Sequence, residues 1–180
     1  MLKVIDDTHK SLRNKSIDVN IPLSQEDETL ALNMLEYLRL SQDEEYSKAH
    51  HIREGVGLAA PQVGVNKKII ALFYPINEKE YMTRLLANPK IVSNSVRKAY
   101  IEAGEGCLSV NKEHRGYVIR DFKIIVKAYD ILEKKNVEIT AKGFDAIVLQ
   151  HEIDHLNGIL FYDRINKADP FKRIDGAFVI

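Results

Sequence analysis

The chain has 180 residues, 45% hydrophobic and 29% charged, a size and balance that suit one soluble globular domain spanning 1–180. Its 26 basic and 26 acidic residues cancel, which gives no bulk attraction for nucleic acid or an anionic membrane, and no apolar run approaches the roughly 20 residues of a membrane helix. Acids interrupt the start, Met1 to Asp7, before an export signal can form, and the single cysteine, Cys107, excludes an internal disulfide; both lead us to expect a cytoplasmic protein.

Residues 1–24 are weakly patterned, with a short helical turn near Thr8–Arg13. Ser24, followed three residues later by Asp27, reads as a helix start. Leu30, Met34, Leu35 and Leu38 then form one apolar face, and the helix can run on through the polar stretch Ser41–Arg53. In Gly55–Gly64, small residues and Pro61 allow close backbone approach, and Gln62 offers an amide donor. Taken alone, that segment reads as an ordinary turn. Lys68–Tyr74, Leu85–Ala87, Ile91–Val92 and Val96–Ile101 look like strands, broken at Asn88-Pro89 and Ser93-Asn94. Gly104 and Gly106 bracket a bend just before Cys107, a residue type that is usually a small buried hydrophobe. Phe122–Tyr129 and Asn136–Thr140 alternate as a hairpin or meander, and Ala177–Ile180 reads as a closing edge strand.

The most informative stretch is Gln150 to Gly158. His151 and His155 are four apart, which places both imidazoles on one face of a helix, within reach of one metal ion. Glu152 lies about 100° round from His151, beside such a metal rather than on it, where it can take a proton from water. Phe144, Ile147, Val148, His151 and His155 form one stripe that changes from apolar to ligating. Ala146, Leu149, Ile153 and Leu156 form a second, so the helix is apolar nearly all round and should be buried, with Asn157-Gly158 as its stop. Two buried histidines and a glutamate need polar partners, and a metal site satisfies all three.

Hydrolytic metal sites usually have three protein ligands and one open position. Phe161 stands where the extended metalloprotease pattern has its third histidine, and no glutamate follows Glu152. Asp163, Asp169 and Asp175 remain downstream; His50-His51 and His114 sit in polar surroundings. Cys107, in the bend made by Gly104 and Gly106, is the better candidate, with Cys-His-His as a plausible catalytic set.

Three blocks together resemble the peptide deformylase family: Gly55-x-Gly57-Leu-Ala-Ala-Pro-Gln62, Glu105-Gly-Cys-Leu-Ser109 and Gln150-His-Glu-x-Asp-His-Leu-x-Gly158. The order is right and the resemblance runs over nearly the whole chain. The polar helix before Gly55 and the segment Gly116-Tyr117-Val118 look like the longer, Gram-positive-type branch. Lys10 departs from the proline common at its position, and we expect a local change there without loss of chemistry.

With the predicted elements, the resemblance implies an α+β fold: antiparallel and mixed β-sheets packed around a central buried metal-binding helix, with an N-terminal helix and a β-rich C-terminal end. It implies that Cys107, His151 and His155 hold one divalent cation, Fe2+ in expectation with Zn2+, Ni2+ or Co2+ as alternatives, and that water takes the fourth place. Glu152 then moves the water proton, while the Gln62 amide and the Leu108 backbone N–H steady charge on the formyl oxygen. Val56, Gly57, Phe144, Ile147 and Val148 are expected to line a methionine pocket, and Gln150 and Asp154 to orient ligands. Arg115 and Arg120 read equally as contacts to peptide carbonyls or as surface salt bridges. The implied partner is an N-formylmethionyl peptide. We expect a monomer without direct nucleic-acid or membrane binding, and a transient ribosome contact stays open.

Overall fold

Apolar residues on both faces of one strand set the architecture. In the computed structural model, which describes residues 2–180, β2 (Ile69–Pro75) is buried from Ile69 to Leu72 on both sides. Ile69 and Ala71 pack with Leu58, Leu85 and Ala87 against α1 (Gln25–Ser41). The alternate residues Ile70 and Leu72 pack with Leu86, Ile124 and Val126 against α3 (Phe144–Leu156). Because side chains alternate across a strand, a continuous apolar run buries both faces of a sheet between two helices. That sheet has five antiparallel strands in the order β1-β2-β3-β6-β7, where β1 is Gly57–Ala59, β3 Tyr81–Asn94, β6 Lys123–Asp130 and β7 Lys135–Lys142. A second sheet of three short strands, β4 (Lys98–Tyr100), β5 (Arg120–Asp121) and β8 (Phe178–Val179), is mixed, with β8 parallel to β4. The fold is α+β, as expected.

Two sequence expectations give way to tertiary context. Asn88-Pro89 does not end a strand: β3 runs through it as a bulge. Bulges admit both proline and a left-handed asparagine, and Asn88 has φ 51°. Its amide is held by Val19, accepting from the backbone N–H at 2.9 Å and donating to the carbonyl at 2.8 Å. The helix from Ser24 also stops earlier than the polar pattern allows. Ser24 accepts from the Asp27 N–H at 3.1 Å, as predicted, but α1 ends at Ser41 and Asp43 caps a separate α2 (Glu44–His50) through the Tyr46 N–H at 2.9 Å. At the N-terminus, Lys10 opens a 3-10 turn, Lys10–Arg13, a first position where proline and other residues are equally accommodated because its N–H has no helical partner. Among the described residues no helix is long and apolar enough to cross a membrane.

Candidate metal centre

The helix α3 is buried at every residue from Ala146 to Leu156, so its polar side chains have only the protein interior in which to find partners. Gln150 finds them on β5, accepting from the Asp121 N–H at 3.0 Å and donating to its carbonyl at 2.9 Å, which sets the helix against the small sheet. At the far end Gly158 (φ 74°) stops the helix where a Cβ would come within 2.5 Å of the Arg13 carbonyl oxygen.

His151 and His155 face Cys107 across the loop before Val110. Cys107 Sγ lies 3.3 Å from His155 Nε2, and the ligand atoms of all three residues lie within 4.8 Å of one another. Tetrahedral coordination by a thiolate and an imidazole separates sulfur from nitrogen by about 3.5 Å, so the Cys107–His155 pair is already near ligating separation and His151 is close enough to complete the set. Burial, then the charges of His151 and Arg120, hold His155 well below the usual histidine range, which leaves its ring neutral and able to ligate. Burial also works against charge on His151, yet the Cys107 and Glu105 contacts outweigh it and raise that ring well above its usual value. The anionic surroundings that favour a proton there favour a metal cation equally.

The orienting partner of His151 is Glu105, to which sequence reasoning gave no role. His151 Nδ1 donates to Glu105 Oε2 at 2.8 Å, which leaves Nε2 for a metal. Burial disfavours the Glu105 carboxylate, but hydrogen bonds from Arg120 and His151 win and hold it down at about 2. Arg120 is therefore neither at the surface nor free for a peptide: it is 3% exposed and forks onto Glu105 at 2.6 and 2.9 Å. Its remaining nitrogen donates to Asp154 at 2.8 Å. Arg115 makes an exposed pair with Glu113. The only sequence signal for Glu105 is its place two residues before Cys107 in the same bend.

Gln62 follows β1 in a 3-10 turn (Ala60–Val63) with Pro61 as its second residue. Its carbonyl oxygen accepts from the Ala59 N–H at 2.8 Å, so its NH2 points at Cys107 Sγ (3.4 Å) and Ser109 Oγ (3.2 Å). Arg53 fixes the turn after Cys107 by donating to the carbonyls of Leu108 and, at 3.1 Å, Val110. Glu152 is different from every other acid here. Its Oε2 is buried without a hydrogen-bond partner among the described residues, and burial pushes its carboxyl up to about 7 against the pull of His151 and Arg120. Glycine at position 57 leaves room for Glu152, because a Cβ there would sit 2.3 Å from Glu152 Oε1 and displace that side chain. Glu152, Cys107, His151 and Gln62 border one cleft of ≈ 350 Å³, together with Val56, Gly57, Leu108, Phe144, Ile147 and Val148.

A thiol and two imidazoles around one cation position, with an unligated carboxylate alongside, is the arrangement of a metal-dependent hydrolase. Comparison with known proteins narrows that class. Residues 1–171 match the model of the family described as polypeptide deformylase. The chain is 50% identical over 173 residues to a peptide deformylase of Macrococcus caseolyticus, covering 96% of this chain and 94% of that one. It is 46% identical over 180 residues to peptide deformylase 2 of Geobacillus stearothermophilus, covering 100% and 97%. Among solved structures it is similar to a probable peptide deformylase from Synechococcus phage S-SSM7, with a TM-score of 0.74, 36% identity and coverage of 91% and 99%. The chain belongs to the polypeptide deformylase family. It is a metal-dependent hydrolase that removes the formyl group from N-formylmethionyl peptides.

Proposed function

We propose that Glu152 is the acid–base group of this deformylation, that the Gln62 amide and the Leu108 N–H stabilise the charge developing on the formyl oxygen, and that Val56, Gly57, Phe144, Ile147 and Val148 receive the methionine side chain. The observation that carries the reading is the buried, unpartnered Glu152 oxygen bordering the same cleft as Cys107 and His151. A buried carboxyl group without a partner is costly, and groups of this kind cluster at functional sites. Cys107, His151 and His155 would hold the cation, which when bound supplies Lewis acidity and an acidified water. As water adds to the formyl carbon its proton passes to Glu152, and the C–N bond then breaks as Glu152 returns that proton to the amine, leaving formate and a free N-terminus. Gln62 is held ready for its part by the Ala59 contact, so orienting it costs little as charge builds.

The apolar run Phe144, Ile147, Val148 leads along α3 into His151, so a side chain resting on it brings the attached formyl group to the ligands. Ferrous iron is the proposed metal. Zinc, nickel and cobalt suit the same donors, and metal analysis of anaerobically prepared protein decides among them. The proposed protein is a single-domain cytoplasmic monomer that meets its substrates on nascent chains, with transient ribosome contact. The functional assay is formate release from a formyl-Met peptide, set against an acetyl-Met peptide and an internal peptide bond. Turnover of the formyl substrate alone is expected; cleavage of internal bonds would make it a peptidase.

A further inference from the structure

A chain of ion pairs starts at the metal centre, where His151 and Glu105 border the cleft, and runs past the β5-facing side of α3 to the surface. His151 donates to Glu105, Glu105 is forked by Arg120, and Arg120 donates to Asp154. Arg164 closes the series with two contacts to Asp154, Nε to Oδ2 at 2.5 Å and Nη2 to Oδ1 at 2.6 Å. Two carboxylates and two guanidiniums alternate, so the cluster is neutral as a whole. Glu105, Arg120 and Asp154 are buried; the Arg164 side chain is 41% exposed, on the 3-10 turn Phe161–Arg164.

The balance of this cluster depends on its outermost member. Without Arg164, one guanidinium faces two buried carboxylates. Asp154, deprived of two charge-assisted hydrogen bonds, then competes for Arg120 at the expense of Glu105. A pocket of ≈ 190 Å³ bordered by Arg164, Asp154, Gln150 and Arg120 lies at this end of the chain of charges. The same turn sets the Phe161 ring beside His151, with centroids 6.1 Å apart and planes inclined by 18°, so it reaches that histidine both through Phe161 and along the ion pairs that Arg164 ends.

We propose that Arg164 is a positioning residue for the metal ligand His151, acting through Asp154, Arg120 and Glu105. The inference rests on the assignment of His151 as a ligand. Its test uses the full-length protein loaded with cobalt, comparing R164Q and R164K with two controls. R13Q loosens the same turn, since Arg13 donates to Asp163 and Tyr162 without touching Asp154, and K167Q changes a neighbouring exposed charge. Cobalt release to a chelator should be about ten-fold faster in R164Q, the lower end of what loss of an outer partner does, with a shifted thiolate-to-cobalt absorption band. The kcat for formyl-Met peptide should fall while KM stays within about two-fold. R164K should lie between R164Q and wild type, because an ammonium keeps the charge but not the fork. It also provides the comparison with K167Q should R164Q not fold. Wild-type cobalt release in R164Q and R164K, or equal effects of R13Q and R164Q, would overturn the proposal. Wild-type cobalt release in H151A would instead overturn the ligand assignment beneath it.

Discussion

The two sides of α3 solve opposite problems with the same kinds of residue. On the side facing β5, Gln150 and Asp154 are buried and fully engaged, Gln150 with the Asp121 backbone and Asp154 with Arg120 and Arg164. On the cleft side, Glu152 is equally buried and keeps an oxygen with no partner among the described residues. One carboxylate stabilises a position; the other, on the proposed function, is held ready for a proton. Burial alone therefore does not single out an acid in this helix; the missing partner is what sets Glu152 apart.

The largest expected effect breaks the contrast outright. Glu152→Ala should keep its metal and lose about 10²–10⁴-fold in kcat, as measured by metal content and formate release. Loss of the metal in that variant would move Glu152 to the ligating side. Gln62→Ala comes next, with about 10²–10³-fold in kcat and little change in metal content, the size expected when one donor to a developing oxyanion is removed. Glu105→Ala tests the engaged side: metal affinity, read by chelator competition, should fall about 10–100-fold because His151 loses its orienting partner. The smallest effect belongs to the pocket. Val148→Ala should weaken the preference for formyl-Met over a formylated peptide with a shorter side chain by about 1–3 kcal/mol in kcat/KM, with the metal retained. An unchanged ratio would place the methionine elsewhere.

How much of this was legible before the fold depends on the distance over which each feature is encoded. The α3 helix, its two imidazoles and its free carboxylate are local: a period of 3.6 and a four-residue spacing suffice, and the helix lies where the pattern puts it. The hairpin β6–β7 is local too, through alternation. The path of β3 through Asn88-Pro89 is not, because local chemistry there says turn and the decisive hydrogen bonds come from Val19. The break between α1 and α2 hangs on Asp43 choosing to cap a new helix, within a stretch whose polarity fits a continued one. The costliest misses were Glu105, quoted in a motif block without a role, and Arg120, read as a peptide contact or a surface salt bridge. Neither has a periodic or spacing signal tying it to His151, since β5 and the loop before Cys107 meet only once both sheets are in place.

The central claim is that Cys107, His151 and His155 share one cation while Glu152 does not. X-ray absorption at the metal edge, on wild type and Glu152→Ala, reads this directly. The account predicts one sulfur at about 2.3 Å and two imidazole nitrogens in both proteins. A shell without sulfur, or one that loses a protein ligand when Glu152 is removed, would contradict it.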